Sequence, residues 1–474
     1  MTRQTHRRQL RWAGSNDSRK RPACVVGQKV ARARKQEGLA LIVAVTAVAI
    51  LGVMLADMHQ STGTAFAVST AQRDALQAEY LAKSATNLTR LLFSQEPQIR
   101  KFVAPFYRMA TGKSPPQLPV WKFANELLAP FCTPEEERES MLSLGIDFGD
   151  ATGFDGIPGR CEVLAASENS KINVNKPLFM SGDMAKSNLA MQVFALTGGY
   201  QPPGGPYDVL FSGLDPDGNI TTRLDLVSAL VDWWDSDTQL TDFDPGEGEV
   251  RSNSSGSENS NIYQMYDDPY QIKNAPFDSL QELRLVRGFT DDFWAAFVEP
   301  TPNDPESRRI TIYASGLINV NEADPLTLLA RVCSVAAEVS LCTDEAESVK
   351  FVQVLKTVKA LIPLPFFAKG QDFVEFIQGK GKDSKSLYPM LQGFLGPDSE
   401  LLFTPVQLTK EQSASLGRTL TTSAQIFTIV ASATVGRSHV EIESVVNFHN
   451  RWVPPPPNAG SMPGLGVFHY YRVD

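Results

Sequence analysis

The sequence lacks the residue patterns that most enzymes and metalloproteins carry. It has only five histidines in 474 residues, and none stands at a metal-binding spacing from another histidine or from a cysteine. A Gly-x-Ser-x-Gly elbow and a glycine-rich phosphate loop are both absent, and the five cysteines form no Cys-x-x-Cys motif. These absences argue against a zinc site, a serine hydrolase and a nucleotide-binding enzyme.

Basic residues are scarce outside the N-terminus. The whole chain has 44 Lys and Arg against 53 Asp and Glu, a formal net charge of −9. Eleven of the basic residues lie in residues 1–38, where only Asp17 and Glu37 oppose them, so this stretch is +9 and the remaining body is −18. A body of that charge repels phosphate backbones. Nucleic acid is therefore not an expected partner.

Cysteines are also few, and four of them lie in the acidic body, at Cys132, Cys161, Cys333 and Cys342. An even number beyond a membrane segment is typical of an oxidising compartment. Four cysteines allow three pairings, and proximity in sequence favours Cys132–Cys161 and Cys333–Cys342. Four reduced, buried thiols are the alternative.

One long apolar run is present. Leu39–Ala56 contains neither a charged residue nor a proline. As a helix it would span roughly 27 Å, close to the thickness of the hydrocarbon core of a bilayer. The basic stretch before it and the acidic body after it orient the span by the positive-inside rule. We therefore expect a single transmembrane helix over residues 39–56, a cytoplasmic N-terminus and an exported body.

The helix that begins with this run is predicted to continue to about Phe93. No turn signal follows Ala56, and apolar residues recur at helical spacing, at Leu76, Tyr80, Leu81, Ala85, Leu88 and Leu92. A helix over residues 39–93 would be roughly 80 Å long. A simple tether does not need such a rod, whereas a subunit that packs beside similar helices does.

The junction before the apolar run reads Lys35-Gln-Glu-Gly38, followed directly by Leu39. It resembles the prepilin leader, in which a prepilin peptidase cuts after the glycine and leaves the apolar helix in place. Residues 1–38 would then be the leader, and glycine suits a backbone that must enter a protease cleft. An uncleaved signal anchor with a chance glycine is the alternative.

The fifth mature position departs from the general pilin pattern. Most pilins have a glutamate there, within the membrane, which can pair with the amine of a neighbouring subunit. Counting Leu39 as the first residue, this position is Val43. A subunit without that charge suits the end of a filament.

The remaining body alternates between strand and helix patterns. Residues 94–175 end in a strand-like stretch, residues 176–403 are mostly of helical periodicity, and residues 404–474 contain two strand patterns around Gly436. This order indicates an α+β, pilin-like fold with a long N-terminal transmembrane helix and an antiparallel sheet. The segment 176–403 would be a large inserted, mainly helical domain.

A short motif occurs twice in the body, as Ile172-Asn-Val-Asn175 and as Ile318-Asn-Val-Asn321. A helical pattern follows each copy. We expect two corners between a strand and a helix, in which the second asparagine caps the helix.

Carboxylates crowd the stretch from Asp232 to Glu249, which holds seven of them. Such a cluster must be solvated or neutralised. Calcium is one solution, because it accepts six to eight oxygen ligands from flexible loops, and a solvated acidic loop is the other. The adjacent Trp233 and Trp234 are expected to pack a helix rather than bind a sugar.

Three stretches of the body occur in the order found in a known family: Leu226-Val-Ser-Ala-Leu-Val-Asp-Trp-Trp-Asp, Lys273-Asn-Ala-Pro-Phe-Asp and Ser315-Gly-Leu-Ile-Asn-Val-Asn. Together with the leader and the hydrophobic fifth position, they resemble the large minor pseudopilin of type II secretion systems, general secretion pathway protein K (GspK). The long leader and the stretch Asn253–Ser260 depart from the family pattern.

The resemblance implies a structural subunit rather than an enzyme, held in the cell inner membrane with its head in the periplasm. Members of the family lie at the tip of the pseudopilus, bind two other minor pseudopilins, proteins I and J, and help to start assembly. The resemblance also implies calcium, with Asp235, Asp237 and Glu247 as the matching ligands. The rival functions are a minor pilin of a type IV pilus and a membrane-anchored periplasmic hydrolase.

Overall fold

The structure is a computed structural model, and it describes residues 37–112, 114–133, 159–175, 180–212, 218, 220–257, 263–264, 268–361, 365–380, 386–396, 399–448 and 464–474. The predicted leader therefore lies outside the described residues, apart from the backbone of Glu37 and Gly38. The chain divides into two compact units, Met1–Thr70 and Ala71–Asp474.

The described chain contains both helices and strands, and six of its helices follow one another between the strands Ile318–Asn319 and Leu420–Thr421. The helices are α1 (Glu37–Thr111), α2 (Ala124–Cys132), α3 (Gly182–Leu196), α4 (Arg223–Trp234), α5 (Asp291–Phe293), α6 (Pro325–Cys333), α7 (Ser340–Thr343), α8 (Glu345–Leu361), α9 (Gly370–Ile377), α10 (Leu387–Leu395) and α11 (Lys410–Thr419). The strands are β1 (Arg160–Ser167), β2 (Ile172–Asn173), β3 (Gln239–Asp244), β4 (Glu249–Ser257), β5 (Ile310–Thr311), β6 (Ile318–Asn319), β7 (Leu420–Thr421), β8 (Ile426–Val435), β9 (Ser438–Asn447) and β10 (Val467–Val473). The predicted α+β class is thus confirmed.

Helix α1 has 75 residues and ends at Thr111, so the predicted end at Phe93 is wrong. Pro97 and Pro105 lie inside the helix. A proline removes one helical hydrogen bond and leaves a carbonyl without its donor. Both prolines are exposed on the helix surface, and the helix continues past them.

The main sheet is antiparallel, with strand order β1-β8-β9-β10. β8 and β9 form the hairpin predicted around Gly436, whose φ of 58° a turn glycine adopts without strain. β1 pairs with β8 over its whole length. β10 was not predicted as a strand of its own, and its register against β9 shifts between Phe468 and Tyr470. Such an irregularity interrupts the two-residue period by which a strand is recognised in sequence.

One hydrophobic core lies between the sheet and the C-terminal part of α1. The α1 residues in this core are mostly small, with Ala78, Ala82 and Ala85 fully buried. They cluster with the β8 side chains on one face of the sheet, and the Phe93 ring lies 4.9 Å from that of Phe427. Alanines at this spacing let the helix backbone come close to the strands.

A second and larger hydrophobic core begins at Ile172 and ends at Leu420. It contains most of helices α3 to α11, and it extends 4 residues before and 17 residues after the predicted insertion, 176–403. The chain leaves the sheet after β1 and returns to it at β8, and these two strands are hydrogen-bonded neighbours. The second core is therefore inserted between adjacent strands of the main sheet.

The second asparagine of each motif hydrogen-bonds the backbone of a distant loop and does not cap a helix. Asn175 accepts the amide of Phe277 and donates to the carbonyls of Phe277 and Ile312. In the second copy, Asn321 accepts the amide of Phe367 and donates to its carbonyl. The predicted caps are wrong, since α3 follows Ser181 and α6 is capped by the Asp324 side chain. Each second asparagine satisfies backbone groups distant in sequence, which a local pattern cannot reveal.

Two disulfides join residues that are close in sequence. Cys132, the last residue of α2, is bonded to Cys161 on β1, with a Cα–Cα distance of 4.7 Å. Cys333, at the end of α6, is bonded to Cys342 on α7, at 5.6 Å. The first bond ties α2 to the sheet, and the second closes a short loop in the second core.

We predict that the Cys132–Cys161 bond stabilises the fold more than the Cys333–Cys342 bond does. The first closes a sequence separation of 29 residues and the second one of 9, and a longer loop loses more entropy in the unfolded chain. Replacing both cysteines of a pair by serine should cost roughly 3 to 4 kcal/mol for the first and roughly 2 to 3 kcal/mol for the second. Denaturant unfolding of the two double variants measures this, and an equal or reversed ranking would contradict it.

Candidate functional site

The N-terminal part of α1 is an apolar membrane-spanning candidate. Of the helices in the described part of the chain, α1 alone is long and apolar enough to cross a membrane. Leu39 and Val43 lie in its first turns with exposed side chains, and Val43 is 60% exposed. The helix fits a single-pass anchor, and Gly38 immediately precedes its first exposed apolar residue.

A second apolar surface lies on α1 farther along the chain. Large side chains that are 46% to 85% exposed follow one side of the helix, namely Leu76, Tyr80, Leu91, Phe102, Phe106 and Met109. Successive members are three, four or eleven residues apart, close to whole numbers of helical turns at about 3.6 residues a turn. We call this set the α1 stripe.

The α1 stripe lies opposite the face that packs on the sheet. Between the apolar residues of the stripe, the same side of α1 carries uncharged polar residues, namely Ser84, Asn87, Gln95 and Gln98. A water-exposed helix face normally carries charged residues. An exposed set of large apolar side chains, separated by neutral polar ones, is typical of a contact surface. Its members beyond Phe93 were missed because the predicted helix stopped there, although the spacing of Phe102, Phe106 and Met109 was visible.

A groove of about 350 Å³ lies beside the stripe, between α1 and β10. Lys83 and Asn87 form one wall, and Phe468 and Tyr471 form the other. Arg90 holds the two elements together, because its guanidinium lies 4.1 Å from the Phe468 ring and donates to the carbonyl of Leu465 at 2.9 Å. Within the described residues, no strand pairs with the outer edge of β10.

The acidic stretch forms a helix end and a hairpin. α4 ends at Trp234, and Asp235 is its C-cap residue. β3 and β4 then pair as an antiparallel hairpin, where the sequence indicated only a loop. Trp233 and Trp234 are both buried, and Trp233 stacks on Phe277 at 6.2 Å. The prediction that they pack the core is confirmed.

Two of the three predicted calcium ligands share one lysine. The Lys186 ammonium on α3 lies 2.5 Å from Asp235 Oδ2 and 2.9 Å from Asp237 Oδ2. Burial would lower the pKa of Lys186, but its hydrogen bonds to both carboxylates outweigh burial and raise it. Burial likewise would raise the pKa of Asp237, and Lys186 and the Gln239 amide hold it below its usual value.

The third predicted ligand, Glu247, lies in the turn between β3 and β4 and pairs with Arg251. Both side chains are more than half exposed. In the part of the chain that the structure describes, no three acidic, histidine or cysteine side chains come together as a metal site. The residues as arranged therefore do not fit calcium, and calcium binding stays a prediction from the resemblance.

Asp232 also belongs to this corner, although it does not contact Lys186 directly. Its Oδ1 accepts the amide of Thr241 at 2.9 Å, which joins α4 to the first strand of the hairpin. Burial raises the pKa of Asp232 to about 7. This carboxylate therefore positions the hairpin, and the carboxylates that are paired with a cation are Asp235 and Asp237.

A buried ion pair lies where the two hydrophobic cores meet. Glu168 and Lys171 are 3% and 1% exposed and are hydrogen-bonded to each other. Glu168 also accepts the hydroxyls of Thr428 on β8, at 2.6 Å, and of Thr311 on β5. Burial would raise the pKa of Glu168, but Lys171 and these hydroxyls hold it below its usual value. The pair joins the sheet to the second core, and its three-residue spacing alone did not reveal it.

Comparison with known proteins gives a distant likeness to solved structures. Neither a family model nor a curated protein matches the sequence. The chain is similar to a chain in the crystal structure of the GspK-GspI-GspJ complex from the type 2 secretion system of enterotoxigenic Escherichia coli. The two are 14% identical, the match covers 80% of this chain and 98% of that chain, and the TM-score is 0.36. A likeness at this level does not by itself establish a function.

We predict that Glu168→Gln destabilises the protein by about 3 to 5 kcal/mol, because it leaves the Lys171 ammonium buried without a counter-charge. The double variant Glu168→Gln/Lys171→Met removes both charges and should recover part of the loss. Urea unfolding of the detergent-solubilised chain, followed by tryptophan fluorescence, measures both effects.

The matched control is Lys83→Met, which breaks an exposed pair with Glu79 on α1. Exposed pairs contribute little to stability, so this variant should unfold close to wild type. The interpretation of the buried pair is wrong if Glu168→Gln costs no more than this control.

Proposed function

We propose that the protein is a minor pseudopilin of a type II secretion system, held in the inner membrane with its head in the periplasm. The α1 stripe is the observation that carries this proposal. An apolar anchor needs no further apolar surface outside the membrane, whereas a filament subunit needs one for its neighbours. The work of the protein is then assembly, and the head supplies structure rather than catalysis.

The stripe suits another helix as its partner. Its apolar side chains recur at the spacing of helix ridges, and the smaller neutral residues between them leave grooves that a second helix can fill. The stripe residues are uncharged, and Lys83, whose ammonium lies 5.6 Å from the Tyr80 ring, is already paired with Glu79. A partner helix can therefore be desolvated against the stripe without leaving an unpaired ion. The partner we propose is the corresponding helix of other minor pseudopilins, proteins I and J.

Two further features support a position at the tip. Val43 offers no carboxylate to the amine of a following subunit, so one of the contacts expected within a filament shaft is missing. The second core, residues 172–420, adds a large body to the sheet. A subunit of that bulk is easier to place at an end than within a shaft. Initiation or capping of the pseudopilus is the role we infer.

The sequence and the disulfides support the proposed route to this position. A prepilin peptidase would cut between Gly38 and Leu39 and leave α1 in the membrane. The two disulfides suit the oxidising periplasm. The acidic body follows the span on the side that the positive-inside rule assigns to export.

We predict that Phe102→Asp/Phe106→Asp abolishes co-purification with proteins I and J from membranes in which the three are co-expressed. Charges in the middle of a helix interface should weaken binding tenfold or more. Because the two side chains are 77% and 67% exposed, the melting temperature of the chain alone should not change.

Phe394→Asp is the matched control, since Phe394 is 84% exposed on α10, outside the stripe. This variant should co-purify like wild type. Retention of both partners by the Phe102→Asp/Phe106→Asp variant would show that the stripe is not the interface.

We predict that the mature protein begins at Leu39 only when the prepilin peptidase is present. Mass spectrometry of the N-terminal peptide of the membrane protein, with and without the peptidase, measures this. Gly38→Val should block the cut, whereas Gly52→Val should not, because Gly52 lies within α1 with open space around its Cα. An intact leader, or a cut after Ala56, would remove the basis for filament assembly.

A further inference from the structure

At the corner between α3 and the end of α4, one lysine pairs with two carboxylates, and a third carboxylate, Asp232, lies nearby. Lys186 and Asp235 are both buried, with 9% and 3% of their surfaces exposed. The ammonium bridges Asp235 at 2.5 Å and Asp237 at 2.9 Å. A lysine ammonium has three hydrogen-bond donors and no acceptor, so it can serve two carboxylates at once. The arrangement is the one that a bound cation would otherwise create.

Most polar groups around the loop make hydrogen bonds within the protein, although the side-chain oxygen of Asn274 is buried without one. Asp237 Oδ1 accepts the amide of Gln239 at 2.9 Å, and the Asp237 carbonyl accepts the side-chain amide of Asn274 at 2.6 Å. The amide of Ala275 donates to the carbonyl of Trp233. Calcium needs six to eight oxygens, and these contacts already use three of the nearest ones. The loop is therefore closed by bonds within the protein.

The position of Lys186 explains why its charge is needed. It lies on α3, whose neighbouring residue Ser187 accepts the amide of Val250 on the hairpin. The lysine thus connects α3 to the end of α4, while the next residue connects α3 to β4. Without a cation, the buried Asp235 and the nearby Asp237 would repel each other. This repulsion would push the end of α4 away from α3.

We propose that Lys186 takes the place of a bound metal ion at this corner, so that the head folds and keeps the loop after α4 without calcium. The metal is replaced by an ammonium that is covalently part of α3. Its local concentration does not depend on the surrounding solution, and a chelator cannot remove it. The three residues to which the resemblance assigned calcium are then held by Lys186 and Arg251.

The test compares full-length, detergent-solubilised wild type with Lys186→Met in EDTA and in millimolar calcium. The wild-type melting temperature should be the same in both solutions. Lys186→Met should melt several degrees lower in EDTA, and calcium should restore most of the loss, because two unpaired carboxylates then attract the metal. Isothermal titration of wild type with calcium alone should give no binding at this corner.

Lys273→Met is the matched control. Lys273 also bridges two carboxylates, Asp278 at 2.7 Å and Glu282 at 2.8 Å, but the Asp278 side chain is 84% exposed. Water can solvate these groups when the lysine is removed, so no calcium dependence should appear. The comparison separates a substituted metal site from the general effect of removing a lysine.

Three results would overturn the proposal. The first is a wild-type melting temperature that falls in EDTA, and the second is a Lys186→Met variant whose melting is insensitive to calcium. The third is calcium binding to wild type that the Asp237→Asn substitution abolishes. This titration decides the question even if the Lys186→Met variant does not fold. None of these results bears on assembly, so the proposed function is tested separately.

Discussion

The fold depends on keeping one buried ammonium paired. Lys171 is 1% exposed between the sheet and the second core, where an unpaired charge would cost several kcal/mol. Glu168 supplies the counter-charge and also accepts hydroxyls from β5 and β8. The two hydroxyls come from β5 in the insertion and from β8 in the sheet. The Glu168 carboxylate therefore makes all of its hydrogen bonds only when the insertion is docked on the sheet. This makes the second core a fixed part of the head.

The two sides of helix α1 differ in what they contact. The helix buries its alanines against the sheet and leaves a neutral, largely apolar stripe from Leu76 to Met109 uncovered. The exposed stripe is not a defect of packing, because the opposite side of the helix already contributes to a well-formed core. Within the described residues, nothing covers the stripe. A surface of this kind is stable in water only at a cost, which a partner helix would remove.

Local patterns were predicted from the sequence, and contacts between distant segments were not. The β8–β9 hairpin around Gly436 and the helical periodicity of residues 176–403 depend on neighbours along the chain, so the sequence pattern revealed them. The end of α1 was misplaced because tolerance of Pro97 and Pro105 depends on their exposure in the fold. Lys186 could not be predicted as the partner of Asp235, since a lone lysine on a distant helix carries no motif. The clamping role of Asn321 was hidden for the same reason.

The buried charges of the head and the exposed apolar surface of α1 differ in whether the chain itself supplies their partners. In the head, two buried lysines are paired with carboxylates of the same chain, Lys171 with Glu168 and Lys186 with two aspartates. On α1, no part of the described chain covers the apolar stripe. A protein that acted alone would be expected to shield both. The head thus pairs these charges within itself, while the exposed side of α1 is left for a partner, which agrees with the proposed role in assembly.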